Sequence, residues 1–159
     1  MLELAYLHKE ELQKLYAKVV TLDVNKFLFF GEYNNYTLII DDNNFNKVQL
    51  VSVYNDIIIG YFEASVDRTS NDVTSITMVN LQNNYHNIFA IDVIRFYKLL
   101  KKFRKISFMV AVGNPLEKHY DKIGPKLGWD VIGIKRAHVM LSDRKFYDLK
   151  MYEIFNKQK

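Results

Sequence analysis

Between Lys9 and Val20 the apolar residues Leu12, Leu15, Tyr16, Val19 and Val20 recur at helical intervals, with Lys9, Glu10, Glu11, Lys14 and Lys18 between them. That spacing draws one apolar stripe along a 3.6-residue period and predicts an amphipathic helix. The pattern then shifts to short runs rich in β-branched and aromatic residues: Lys26 to Phe30, Tyr36 to Ile40, Lys47 to Val53, Ile57 to Val66 and Val73 to Leu81. Turn-forming residues separate them, at Asn34-Asn35, Asp41 to Asn44, Asn55-Asp56 and Thr69 to Asp72. Because only Asn55-Asp56 divides Gln49–Tyr54 from Ile57–Val66, the spacing predicts a hairpin within an antiparallel meander.

A helical period returns over Asn87 to Lys105. Ile88, Ile91, Val93, Ile94, Tyr97, Leu100 and Phe103 are expected to face inward, and Asp92, Arg95, Lys98, Lys101 and Lys102 outward. The basic residues at its end suit the negative pole of a helix. Ile106 to Val112, ISFMVAV, is short and almost wholly apolar, which predicts a central strand buried on both faces. Gly113-Asn114-Pro115 ends that strand, and Leu116 to Lys126 begins a third helix with Asn114 as cap and Pro115 as first residue. Gly124-Pro125 is expected to distort or shorten it. After Gly128-Trp129, two strands over Asp130–Leu141 and Tyr147–Phe155 flank the turn Ser142 to Lys145. Together these elements predict an α+β fold, with a mixed, mostly antiparallel sheet of about six to seven strands flanked by helices.

A length of 159 residues and 49% apolar composition suit one domain spanning residues 1–159. The absence of Cys excludes thiolate chemistry and disulfides. The N-terminal residues MLELAYLHKEELQKLY do not read as a secretory signal, and no apolar run reaches the ~20 residues of a membrane helix, so a cytoplasmic protein with no membrane partner is expected. A net charge of +4 falls short of a nucleic-acid signature. His8, His86, His119 and His138 show no metal-ligand spacing. The scattered glycines form neither a Walker nor a dinucleotide loop, and no Gly-x-Ser-x-Gly turn is present.

The element order, together with VAVGNPLEKHYDKIGPKLGW from Val110 to Trp129, resembles the GNAT superfamily of acyl-coenzyme A dependent N-acyltransferases. In that family a strand ends in Asn, the following helix carries a Tyr, and a Gly-aromatic pair opens the next strand. Asn114, Tyr120 and Gly128-Trp129 fill those places, although the interval from Tyr120 to Gly128 is longer than usual. The ending MLSDRKFYDLKMYEIF resembles the last strands of short members encoded by phages and other mobile elements. The resemblance implies acetyl-CoA as donor and an amine or protein as acceptor, with direct transfer between them. Tyr120 would be the acid that protonates the departing sulfur, and Asn114 a pantetheine contact. Met78, Val79, Asn80 and Leu81 would supply backbone contacts. A homodimer stays open, as does location in a host cytoplasm or virion.

The family's pyrophosphate loop, Arg/Gln-x-x-Gly-x-Gly/Ala, is replaced. Asn84, Asn87 and Phe89 occupy its Arg and two Gly positions within LQNNYHNIFAIDVI. A helix N-terminus still presents free N–H groups there, and His86 adds a candidate donor. No carboxylate lies in Val73 to Leu81, so Glu63, in the preceding strand, is the candidate base. Two readings stay open: an N-acetyltransferase using Tyr120, favoured by the strand-Asn-helix-Tyr segment, and a catalytically impaired binding or structural module, favoured by the altered loop.

Overall fold

The computed structural model describes residues 1–28 and 37–156, the side chains at 23 and 24 excepted. Strand β1 (Leu2–Leu4) leads through a short 3-10 turn into helix α1 (Lys9–Val20), which buries Leu12, Tyr16 and Val20 at intervals of four. β2 (Lys47–Tyr54) and β3 (Ile57–Asp67) pair antiparallel across Asn55 and Asp56, both at positive φ (48° and 60°). Such a two-residue turn matches the twist of the strands it joins, and Asn and Asp tolerate it better than most residues. β4 (Asp72–Asn80) continues the meander. Helix α2 (His86–Leu100) then crosses to β5 (Lys105–Ala111), which runs parallel to β4.

Helix α3 (Glu117–Leu127), β6 (Trp129–Met140) and β7 (Phe146–Phe155) complete the described elements. β7 inserts between β5 and β6, giving one seven-stranded sheet in the order β1-β2-β3-β4-β5-β7-β6, antiparallel except at β4/β5. The expected α+β architecture is therefore present.

Four local expectations are corrected. Lys26 to Leu28 belongs to a 3-10 segment, Asp23–Leu28, and forms no strand; Phe29 and Phe30 lie outside the described residues. Tyr36 also lies outside them, and Leu38 to Ile40 runs without strand pairing. Side chains satisfy its backbone instead: Gln13 Nε2 donates to the Leu38 carbonyl at 2.7 Å and Gln49 Nε2 to that of Ile39 at 2.8 Å. β1 already occupies the edge of β2, so that ladder is closed to these runs.

The third correction concerns the faces of α2. Ile91 and Ile94 are 51% and 56% exposed, whereas Asp92 is fully buried. Phe96 and Leu100 face the sheet with Asp92, whose carboxylate accepts hydrogen bonds from Ser52 Oγ (2.6 Å) and Arg95 (2.8 Å). A buried carboxylate is tolerated when it is paired and hydrogen-bonded in this way. Fourth, Gly124-Pro125 does not interrupt α3. Pro125 sits in the last turn, Gly124 packs on Trp129, and Gly128 at φ 77° ends the helix by donating its N–H to the Gly124 carbonyl. A left-handed terminator of this kind is readily supplied by Gly.

Each sheet face has its own core. Phe62, Val73, Phe96, Leu100, Ile106, Phe108 and Tyr152 pack under α2 and α3, while Val51, Ile58, Tyr61 and Val79 pack under α1 with Leu12 and Tyr16. β5 is central, as expected, but alternates between buried and half-buried positions, since Ser107 and Met109 are only partly covered.

Candidate active site

β4 and β5 are paired only at Asp72 with Lys105 and Val73 with Ile106; beyond Val73 and Ile106 their ladder stops. The pairing begins where Arg104 and Lys105 bind the Asp72 carboxylate, at 2.6 and 3.8 Å. Two parallel strands released after two residue pairs leave a wedge in the middle of the sheet. A cleft of about 750 Å³ occupies it. One side of its wall carries Met78, Phe108, Tyr120 and Trp129, residues of the α2–α3 core or packed against it, and the other carries Glu63, Ser65, Ser75 and Thr77.

Tyr120 reaches the cleft from the first half of α3. Its ring packs on Phe108 (centroids 5.6 Å apart), Trp129 (5.8 Å) and Tyr152 (6.1 Å). Among the described residues its hydroxyl has no hydrogen-bond partner, and burial pushes it above the usual phenol range, so the proton stays on at neutral pH. Neighbouring Tyr152 is committed elsewhere, donating to Asp121 at 2.8 Å, while Lys150 binds the same carboxylate at 2.7 Å. Those two hydrogen bonds hold Asp121 below the usual carboxylate range.

Asn114 lies where β5 turns into α3. Its Oδ1 accepts the Leu116 N–H at 2.9 Å and its carbonyl accepts the Glu117 N–H at 2.9 Å, an Asx turn ahead of α3; the helix itself begins at Glu117 with Leu116 as N-cap, so Asn114 is not its cap and Pro115 not its first residue. The side chain also lines the cleft, and its Nδ2 makes no hydrogen bond among the described residues. One amide therefore both shapes the junction and presents a donor.

Glu63 lies on the opposite side of the wall and is 4% exposed. It accepts hydrogen bonds from the Tyr61 hydroxyl (2.7 Å), Gln49 Nε2 (2.8 Å) and Lys47 Nζ (3.2 Å). Nearby Tyr16 is pushed up to about 12, by burial first and by the Glu63 charge second.

The other expected contacts fall at the far end of β4 and the start of α2. Val79 and Leu81 are buried in the core under α1, and Asn80 Oδ1 accepts the Gln82 N–H at 3.1 Å. Asn84 lies in a 3-10 turn before α2 and Asn87 in the first turn of α2. Phe89 points into the sheet, stacked on Phe62 with centroids 5.1 Å apart. The structure thus brings Glu63, Met78, Asn114 and Tyr120 to one cleft, and leaves Val79, Asn80, Leu81, Asn84, Asn87 and Phe89 off its lining. Sequence reasoning missed Thr77, Tyr97 and His138, which also line it. Alternation in β4 would have placed Thr77 on the face of Glu63, its cross-strand neighbour, but no local pattern singles out Tyr97 or His138.

No protein-family model and no curated protein matches the sequence. Solved structures do. A probable acetyltransferase superposes with a TM-score of 0.65 at 15% identity, over 98% of this chain and 92% of that one. An acetyltransferase of the GNAT family from Streptococcus pneumoniae gives a TM-score of 0.56 at 15% identity, over 90% and 95% of the two chains. The ribosomal-protein-S18-alanine N-acetyltransferase from Escherichia coli gives 0.60 at 11% identity, over 74% of each. At such identities the likeness is one of backbone arrangement. The chain has the fold of the GNAT acetyltransferases.

Proposed function

We propose that the protein transfers an acetyl group from acetyl-CoA to a primary amine by direct attack. The observation that carries the reading is the β4/β5 wedge with the unpartnered Tyr120 hydroxyl on its wall. The apolar wall of Met78, Phe108 and Trp129 suits a pantetheine arm, and the Asn114 amide offers a donor to that arm's amides. The first turn of α2 carries neither an acidic residue nor a capping side chain to compete with a pyrophosphate at that helix end. Phe89 does not stand in the way, because its ring is turned onto Phe62 and Gly60.

Within the cleft the amine nitrogen forms a bond to the thioester carbon, and the C–S electron pair leaves on sulfur. Tyr120, still protonated, supplies the hydrogen that makes the thiol. A proton positioned for the leaving group contributes about 10²–10⁴-fold to such a step.

The replacement of the loop's Arg and glycines by Asn84, Asn87 and Phe89 favours a second reading, a binding module without turnover. Calorimetric and thermal-shift titration with acetyl-CoA separates the two. A ligand specific for the folded state at 100 times its Kd adds about 2.7 kcal/mol. Absence of any shift at millimolar acetyl-CoA overturns the transfer reading.

A further inference from the structure

An ammonium acceptor must lose a proton before its nitrogen can attack, and β4 carries no carboxylate from Val73 to Asn80 to take it. Glu63 is already committed to Lys47, Gln49 and Tyr61. His138 is in a different position. It lines the cleft from β6, it is exposed, and it makes no hydrogen bond or ion pair among the described residues.

The local backbone is irregular where His138 sits. Lys135 lies opposite Leu149 and Val139 opposite Tyr147, so β6 takes four steps where β7 takes two. A bulge of this kind re-aims the side chains beside it. Ala137, within it, has φ 42°, a left-handed conformation unfavourable to any residue with a Cβ. The Asp148 carboxylate holds it there by accepting the Ala137 N–H at 2.7 Å. Alternation alone would not bring consecutive residues to one wall, yet His138, Val139 and Met140 all line the cleft.

We infer that His138 is the proton acceptor for the incoming amine, an inference that rests on the transfer reading above. Imidazole is the side chain suited to exchange protons near neutral pH, and exposure lets it pass the proton to water. The charged and titratable groups around it are engaged with other partners or exposed on the strand. Lys26 is bound to Asp143 and Tyr147, Asp148 to Ala137, and Glu63 to Lys47, while Lys135 pairs opposite Leu149 at the edge of the bulge and Arg136 lies exposed within it. In the balanced step His138 takes one proton from R–NH3⁺ and releases it to solvent. The amine then forms the C–N bond, the C–S bond breaks, and Tyr120 protonates the thiolate. The second amine proton restores the Tyr120 hydroxyl, giving the amide, coenzyme A thiol and one free proton.

The test compares wild type with His138→Gln, using acetyl-CoA and two acceptors: propylamine, protonated at pH 7, and hydroxylamine, largely neutral. Acetyl-CoA affinity and melting temperature are measured alongside. The expected result is unchanged affinity, a loss in kcat/KM of about 10²-fold or more with propylamine, and a loss of only a few-fold with hydroxylamine. The acidic limb of the propylamine pH profile should also move in the variant. Equal losses with both acceptors, no loss with propylamine, or a wild type that binds acetyl-CoA yet acetylates neither amine would overturn the role of His138. A wild type that binds no acetyl-CoA overturns the transfer reading beneath it.

Discussion

The ring of Phe89 covers the Cα of Gly60 so closely that no Cβ fits between them. Phe89 stands where the sequence resemblance implied a loop glycine, and it is a packing residue that joins α2 to β3 through Gly60 and Phe62. Gly60→Ala should therefore overpack the contact and cost about 1–3 kcal/mol, read as a lowered urea midpoint with unchanged slope. Phe89→Ala in the same background should relieve part of that loss, because the clashing ring is gone.

Tyr120→Phe keeps the ring against Phe108, Trp129 and Tyr152 and removes only the hydroxyl. Since that hydroxyl has no protein partner among the described residues, stability should change by less than about 1 kcal/mol. Acetyl transfer should fall by about 10²-fold or more with acetyl-CoA affinity retained. Single-turnover kinetics and calorimetry on the same preparation separate the two quantities, and full activity in the variant removes Tyr120 from the step.

Glu63→Ala removes the acceptor on which donors of Gln49, Tyr61 and Lys47 meet, although Gln49 keeps the Ile39 carbonyl. Leaving buried donors unpaired should cost about 2–3 kcal/mol in chemical denaturation. Glu63→Gln keeps an acceptor oxygen and should lose less. An alanine variant as stable as wild type would show that the cluster does not support the fold.

Asp143 is held down to about 2 by hydrogen bonds from Tyr147 and Lys26. The folded value lies below the unfolded one of about 3.9, so the contribution is complete above pH 3.9 or so and is lost as pH falls through about 2. Asp143→Asn should accordingly be less stable than wild type at neutral pH, and the two acid-unfolding curves should converge at the low end. A gap that persists at pH 1.5 or so would assign the stabilisation to something other than this ionisation.

Most regular elements were legible because their signals are local. The stripe of Leu12, Tyr16 and Val20, the Asn55-Asp56 turn and the Gly128 terminator each act within a few residues, and the structure contains the elements they predict. Local patterns failed where a distant partner decides. Asp92 is polar by type and fully buried because Ser52, forty positions away, receives it; Ile94 is apolar and half exposed because it lines the cleft. β1 is three residues long, too short for any period to register, and its occupation of the β2 edge left the run at Leu38 to Ile40 without a ladder.

Neighbouring residues were enough to fix α1 and the succession of helices and strands from Lys47 onward, since hydrophobic period and turn chemistry are local properties. The tertiary structure alone decided that β4 and β5 part after two pairs, that β7 enters between β5 and β6, and that Tyr120 stands with Tyr97 in the resulting wedge. Strand order and divergence depend on contacts between segments far apart in the chain. A wedge in a sheet is a missing set of pairings, and no residue pattern within either strand records which pairings will be missing.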